Sequence, residues 1–289
     1  MYLEYYGLKE MPFGLTPDPR YIFKTESHLE MLATVLYAVE QNKGLVVITG
    51  EVGTGKTTTL RAALQQLTDE VLCVYIFNPF LTAAEFFQQL AAEFELELPR
   101  NATKPEMLAA FGRLLAMRHS QGLRTVLIID EAHGLPTNLL EEIRLLLNFE
   151  TNSEKLLQVI LAGQPELHDV LNRPALRQLK QRVSLRCQVK PLNLFEINKY
   201  IRFRLKQAGA TNVNLFDNAS VALIGNVSQG IPRVVNNICD NAMLYGYAGK
   251  VETIGRDIIE EVIDALDLAP GAARGRASSV YGDEAGSRL

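Results

Sequence analysis

The sequence predicts an α/β fold: a parallel β-sheet with helices on both faces, followed by a small all-helical C-terminal domain. Short β-branched apolar runs alternate with capped helical stretches between residues 45 and 189, one of those runs leads through a glycine-rich turn into its helix, and strand signals stop at Pro191. Strands that alternate with helices pair in parallel, and a parallel sheet must be covered on both sides, which is why its strands read as continuous apolar runs.

The elements follow in order. The opening YYGLKEMPFGLTPDPRYIF is aromatic and punctuated by proline, which predicts an ordered extended segment docked on the rest of the chain. Ser27 with Glu30 forms a capping box, and Leu29, Leu32, Ala33, Leu36, Tyr37 and Val39 supply the apolar face of a helix ending near Gly44. LVVIT at 45–49 is a strand buried on both faces, and the helix after its turn spans 56–67. VLCVYIF at 71–77 is the next strand, and Thr82 with Glu85 and Thr103 with Glu106 cap two further helices. RTVLIID at 124–130, LLQVILAG at 156–163 and RVSLRCQV at 182–189 complete the sheet, with helices between them. Asn193 with Glu196, then Asp217, then Pro232 after Gly230 open three successive helices, and a fourth spans 257–266. The predicted parts are an N-terminal segment 1–26, a core domain 27–190, a helical domain 191–267 and a tail 268–289, expected to be disordered because it is rich in small and polar residues without periodicity.

Composition removes several function classes. In 289 residues, 47% apolar content fills a substantial core. A formal charge of −4 and a pI near 5.7 take away the basic surface on which phosphate-backbone recognition usually draws. Cys73, Cys187 and Cys239 are far apart and form no CxxC pair, so neither a disulfide framework nor a zinc site is expected. No stretch approaches the roughly 20 apolar residues of a membrane span, and the N-terminus carries no signal-peptide core. The expected location is the cytoplasm.

The chemistry concentrates at strand ends. GEVGTGKT at 50–57 fits G-x-x-x-x-G-K-[ST] and lies between an apolar strand and a helix, the setting that phosphate binding requires. Gly50, Gly53 and Gly55 allow a tight turn whose N–H groups, shared with Glu51, Val52, Thr54 and the following Thr58, face phosphate oxygens. Lys56 brings a point charge to the β- and γ-phosphates of ATP, and the Thr57 hydroxyl is a Mg²⁺ ligand. Asp130 and Glu131 end the next central strand, where open α/β sheets bind ligands. Asp130 is expected to be the second Mg²⁺ residue, through water, and Glu131 to orient and deprotonate the attacking water. His133 completes a DEAH string and is expected to support its neighbours. Gln164 places an amide at the same sheet edge, within reach of a γ-phosphate or the water. ALRQLKQRV at 175–183 offers Arg182, with Arg177 as the alternative, for an arginine finger acting on a neighbouring subunit's nucleotide. GIPR at 230–233 opens a helix with Arg233 available as a sensor of the γ-phosphate.

Together these motifs resemble an AAA+ ATPase with its helical lid. The N-terminal YYGLKEMPFGLTPDP, GQPEL at 163–167, LRQLKQRV and PLNLFEINKYIRFRL narrow the resemblance to the general secretion pathway protein A family, which includes pilus-biogenesis and exopolysaccharide-system ATPases, over nearly all of residues 1–266. The resemblance implies that segment 1–26 wraps the nucleotide base. It implies a homo-oligomer, a ring in particular, and protein partners in a cell-envelope assembly, reached from the cytoplasm or peripherally at the inner membrane. Long secretion members continue into a transmembrane helix and a peptidoglycan-binding domain that this sequence does not show, so cell-wall binding is not among the expectations. Two rival readings stand beside the envelope ATPase: a DNA-acting AAA+ regulator of transposition or replication, disfavoured by the charge, and a scaffold that binds ATP and turns it over slowly.

Overall fold

The alternation of side chains along each strand explains the architecture. The computed structural model describes residues 1–16, 18–77 and 81–268, and the chain divides into two units, Asp18–Pro191 and the described residues of Met1–Pro17 with Leu192–Leu289. In the first unit β1 (Leu45–Gly50), β2 (Val71–Ile76), β3 (Arg124–Ile129), β4 (Gln158–Gly163) and β5 (Val183–Val189) form one parallel sheet in the order β2-β3-β4-β1-β5. Successive residues of a strand point to opposite faces, so an unbroken apolar run feeds two cores at once. Leu45, Val47, Leu127, Ile129, Val159 and Leu161 pack with residues of α4 (Ala83–Glu93), α5 (Lys104–Ser120) and α6 (Thr137–Leu146). Val46, Ile48, Val126, Ile128, Ile160 and Ala162 pack on the other side with Met31 and Val35 of α2 (Glu26–Glu40) and Leu60 and Ala63 of α3 (Lys56–Leu64). Each such fully buried aliphatic side chain contributes about 1.5–3 kcal/mol. Two short helices, α7 (Glu166–Leu171) and α8 (Arg177–Gln181), link β4 to β5.

The capping boxes at Thr82–Glu85 and Thr103–Glu106 are formed as the sequence predicts. The first helix differs: its cap is Thr25, whose hydroxyl accepts from the His28 N–H, so Ser27 lies inside the first turn and Ser27 with Glu30 is not the capping box. Several predicted boundaries contract by one to three residues, as with α3, which ends at Leu64 where 67 was expected. β3 ends at Ile129, one residue short of the predicted run, because Asp130 leaves the ladder to stand at the rim that carries the site.

The second unit is helical: α1 (Tyr2–Tyr5), α9 (Leu194–Gln207), α10 (Asn218–Ser228), α11 (Pro232–Ala248) and α12 (Arg256–Ala265). Asn193 with Glu196 boxes α9, Asp217 accepts from the Ser220 N–H at 2.7 Å, and Pro232 occupies the first turn of α11. The N-terminal residues, expected to be extended, begin instead with the single turn α1 and pack within this unit. Tyr2 donates to Asp240 at 2.6 Å, Tyr6 to the Val251 carbonyl at 3.1 Å, and Phe13 meets the Phe216 ring edge-on at 6.1 Å. The buried Arg204 guanidinium donates to the Pro12 carbonyl at 2.5 Å and the Gly14 carbonyl at 3.2 Å. Among the described residues no helix is long and apolar enough to cross a membrane. The tail expected to be disordered lies outside the described residues from 269 onward.

Candidate active site

The glycine turn takes its shape from two backbone conformations and one close approach that favour glycine. Gly53 and Gly55 adopt φ +80° and +94°, where an L side chain is strained. At Gly50 the obstacle is space, because a Cβ would stand 2.7 Å from the Val189 carbonyl oxygen of the neighbouring β5. Between them Thr54 is fully buried, its N–H and hydroxyl both donating to the Glu51 carbonyl at 3.2 and 2.8 Å. Glu51 and Val52 are exposed, and Thr58 is half-buried in the first turn of α3.

Lys56 opens α3 and is only 6% exposed. Its ammonium donates to the Gly50 carbonyl at 2.6 Å and the Glu51 carbonyl at 2.9 Å, so the amine rests inside the loop it would use to hold phosphate. Burial pushes its pKa down, opposed by the carboxylates of Glu131, Asp130, Glu51 and Glu166. An anion placed in the turn would act with those carboxylates and keep the lysine charged.

One residue further on, the Thr57 hydroxyl donates to Asp130 Oδ2 at 2.7 Å. That bond joins the start of α3 to the end of β3 and puts the turn and the acidic pair at one rim of the sheet. Asp130 is 1% exposed and fully engaged: Oδ2 also accepts from the Tyr75 hydroxyl at 2.7 Å, and Oδ1 from the Glu131 N–H at 2.9 Å. Glu131 sits in the left-handed region at φ 52°, a conformation that costs a non-glycine residue about 1–3 kcal/mol. Its side chain is 44% exposed, with Oε2 3.4 Å from His133 Nδ1. The same ring nitrogen lies 3.4 Å from the Gln164 N–H, so His133 stands between the acidic pair and the end of β4. With β4 between β3 and β1 in the sheet, Gln164 falls at the centre of the rim.

The arginines are placed elsewhere. Arg177 is exposed in α8. Arg182 caps the end of that helix, one residue before Val183, which pairs with Leu45 at the amino end of β1. It therefore lies at the opposite rim from Lys56 in its own chain. Its Nη2 donates to Asn148 Oδ1 at 2.6 Å, and its Nη1 is buried with no acceptor among the described residues. Arg233 belongs to the helical unit, exposed in the first turn of α11. Gly230, just before it, is dictated by space, since a Cβ there would stand 2.0 Å from the Leu192 carbonyl oxygen.

Sequence reading missed Tyr75, His28 and Asn148. Tyr75 carries a hydroxyl inside the apolar run VLCVYIF, which was the available signal. His28 and Asn148 gave none, because Thr54 and Arg182, the partners that draw them to notice, are brought close only by the fold.

The donor set suits a hard divalent cation held jointly with a triphosphate: one hydroxyl, one buried carboxylate, a lysine and a turn of backbone N–H groups. Among the described residues no group of three or more His, Cys, Asp or Glu side chains could hold a metal by itself. A family model described as an AAA domain matches residues 39–171, which contain Gly50–Thr58, Asp130, Glu131 and Gln164. The chain is 41% identical over 248 residues to General secretion pathway protein A of Aeromonas hydrophila, across 86% of this chain and 45% of that protein. It thus spans about half the length of that curated relative. Among solved structures, Cdc6p from Pyrobaculum aerophilum superposes with a TM-score of 0.65 at 18% identity, covering 88% of this chain and 70% of that one. The RuvB Holliday junction branch migration motor of Thermotoga maritima gives 0.55 at 18% identity over 84% and 70%. At such identities the likeness is one of fold.

Proposed function

We propose, from the premise that the chain belongs with the AAA domain proteins as a relative of General secretion pathway protein A, that it binds and hydrolyses Mg-ATP as an oligomer to drive or regulate assembly of a cell-envelope machine. The observation that carries the nucleotide part is the 2.7 Å bond from Thr57 to Asp130, which brings a phosphate-type turn and an acidic strand end to one place. The secretion part rests on the relative's printed name, and the wider choice of a type II secretion system, a pilus or an exopolysaccharide system on the resemblance of the sequence motifs, with the chain acting from the cytoplasm or peripherally at the inner membrane through partners.

In this reading the N–H groups of Gly50–Thr58 and the amino end of α3 receive the phosphates, and Lys56 exchanges its two carbonyl partners for phosphate oxygens. Thr57 and Asp130 hold Mg²⁺, which, when bound, neutralises charge on the phosphate oxygens. The Glu131 side chain, 44% exposed and bound to His133 rather than to Asp130, takes the proton of the attacking water, with Gln164 on the far side of His133. Arg233 senses the γ-phosphate from the helical unit, Arg182 or Arg177 completes a neighbouring copy's site, and the N-terminal segment covers the nucleotide base. The fold-level likeness to DNA-acting proteins adds nothing to the rival DNA reading, and a net charge of −4 weighs against it.

Steady-state phosphate release and nucleotide binding test this. Lys56→Ala should lose nucleotide binding, whereas Glu131→Gln should keep ATP bound and stop hydrolysis. Undiminished ATP affinity in Lys56→Ala would refute the assignment. Mixing Glu131→Gln with Arg182→Ala should restore part of the activity that neither has alone, because each supplies what the other lacks. Failure at every ratio, with both variants still assembling, removes Arg182 from the shared site.

A further inference from the structure

We infer that His28 is a positioning residue that holds one peptide of the glycine turn in its anion-binding orientation. The inference rests on the nucleotide reading above and goes beyond it to a side chain outside the motif. His28 lies in the first turn of α2, 6% exposed, with Nε2 2.9 Å from the Thr54 carbonyl oxygen and Nδ1 2.6 Å from the Thr25 hydroxyl. A carbonyl oxygen only accepts, so Nε2 carries the proton and donates. In the neutral ring Nδ1 then accepts from Thr25, whose oxygen also receives the His28 N–H at 3.4 Å. The residue that caps the helix thus also sets the ring's orientation.

What the ring grips decides the consequence. A trans peptide unit is planar, so its C=O and the next residue's N–H point in opposite directions. With the Thr54 carbonyl turned toward His28, the Gly55 N–H must point away from it, into the concave side of the turn where phosphate would bind. This peptide needs holding. It joins Thr54 to a glycine at φ +94°, and peptides followed by glycine rotate at little steric cost. Rotation would replace an N–H facing an anion by a carbonyl oxygen facing it, turning attraction into repulsion. Space confirms how closely the ring approaches: a Cβ at position 55 would lie 3.1 Å from His28 Nε2, so the glycine admits the histidine as well as the phosphate. Thr54 is then tied on both sides, by Glu51 through its N–H and hydroxyl and by His28 through its carbonyl.

The test uses the full chain and a fluorescent N-methylanthraniloyl ADP as probe, with phosphate release and thermal melting in parallel. His28→Ala should raise the probe Kd and the KM for ATP by about 5–30-fold, the effect of one buried hydrogen bond together with the freed peptide. kcat at saturating ATP should change less. His28→Gln places an amide N–H close to where Nε2 stands, so it should recover most of the affinity. His28→Leu, of similar bulk without a donor, should behave as the alanine variant does and replaces it should that variant not fold. Tight probe binding by the unaltered chain with an unchanged Kd in His28→Ala or His28→Leu overturns the proposal alone, as does a folded His28→Gln that recovers nothing. Failure of the unaltered chain to bind the probe overturns the nucleotide reading and this proposal with it.

Discussion

Replacing Tyr75 by phenylalanine isolates the weight of one hydroxyl on the buried carboxylate of the rim. The ring stays packed beside Phe77 at 4.3 Å between centroids, so apolar contact is retained and only the donor to Asp130 Oδ2 is lost. Burial, then the bond to Asp130, pushes the phenol pKa far up, so Tyr75 is a neutral donor at any working pH. A hydrogen bond to an ionised group contributes about 1.5–3 kcal/mol, which corresponds to roughly 10–150-fold in an equilibrium constant. The loss should fall on metal dependence for a geometric reason. Thr57 and Tyr75 share Oδ2, and on the proposed assignment Thr57 becomes a metal ligand, leaving Tyr75 as the hydroxyl that still fixes the carboxylate. Phosphate release titrated with Mg²⁺ at saturating ATP should show half-saturation at least tenfold higher in Tyr75→Phe, while ADP binding without Mg²⁺ stays within twofold of the unaltered chain. Identical Mg²⁺ curves for the two proteins would show that Tyr75 serves packing alone and would refute the reasoning.

Two further outcomes follow from the geometry. Gly230→Ala combines φ +73° with a Cβ 2.0 Å from the Leu192 carbonyl oxygen, so denaturant unfolding should show a loss of about 3 kcal/mol or more, whereas Gly14→Ala, where a Cβ meets nothing within 4 Å, should be near neutral; a loss below about 1 kcal/mol at Gly230 contradicts the packing. Burial pushes the thiols of Cys73 and Cys187 from 9.0 up to about 11, so the unfolded thiols ionise first and the stability they contribute, complete below pH 9, is lost as pH rises to about 11. The urea midpoint should therefore fall across that range, and fall less in a Cys73→Ala, Cys187→Ala double variant; equal slopes would exclude the thiols as the cause.

What was legible in the sequence was whatever is encoded locally. A run such as VVI at 46–48 is apolar at every position because Val46 and Ile48 feed one core and Val47 the other, and that needs no knowledge of the partners. The glycine turn was legible because strand, turn and helix are contiguous. The helix cap at Thr25 was missed because two hydroxyls two residues apart compete, and the S-x-x-E pattern favours Ser27 by sequence alone. Only the ring of His28, held by Thr25 and reaching Thr54, shows why the earlier residue wins. Tyr75 with Asp130 and Arg182 with Asn148 join residues far apart in the chain, and no local pattern announces such pairs. The N-terminal segment was legible as ordered from its rings, but its partners, Asp240 and Phe216 among them, were not.

Arg182 stands at the sheet rim opposite Lys56, and that placement constrains any assembly in which it serves a nucleotide. β1 and β5 run parallel, Lys56 follows the carboxyl end of β1, and Arg182 precedes Val183, which pairs with Leu45 at the amino end. The strand between those rims spans roughly 17 Å at about 3.3 Å per residue, so one rigid sheet cannot bring its own Arg182 to its own Lys56. If Arg182 serves the nucleotide, it serves that of another copy, and one rim of each copy must then meet the opposite rim of the next. Such a contact joins two different surfaces, the head-to-tail kind that closes into a ring or continues as a filament. ATPase activity per subunit should accordingly rise with protein concentration in the unaltered chain, and stay low and flat in Arg182→Ala. Activity independent of concentration down to where light scattering shows monomers would mean that one copy contains the whole site, and Arg182 would have no part in it.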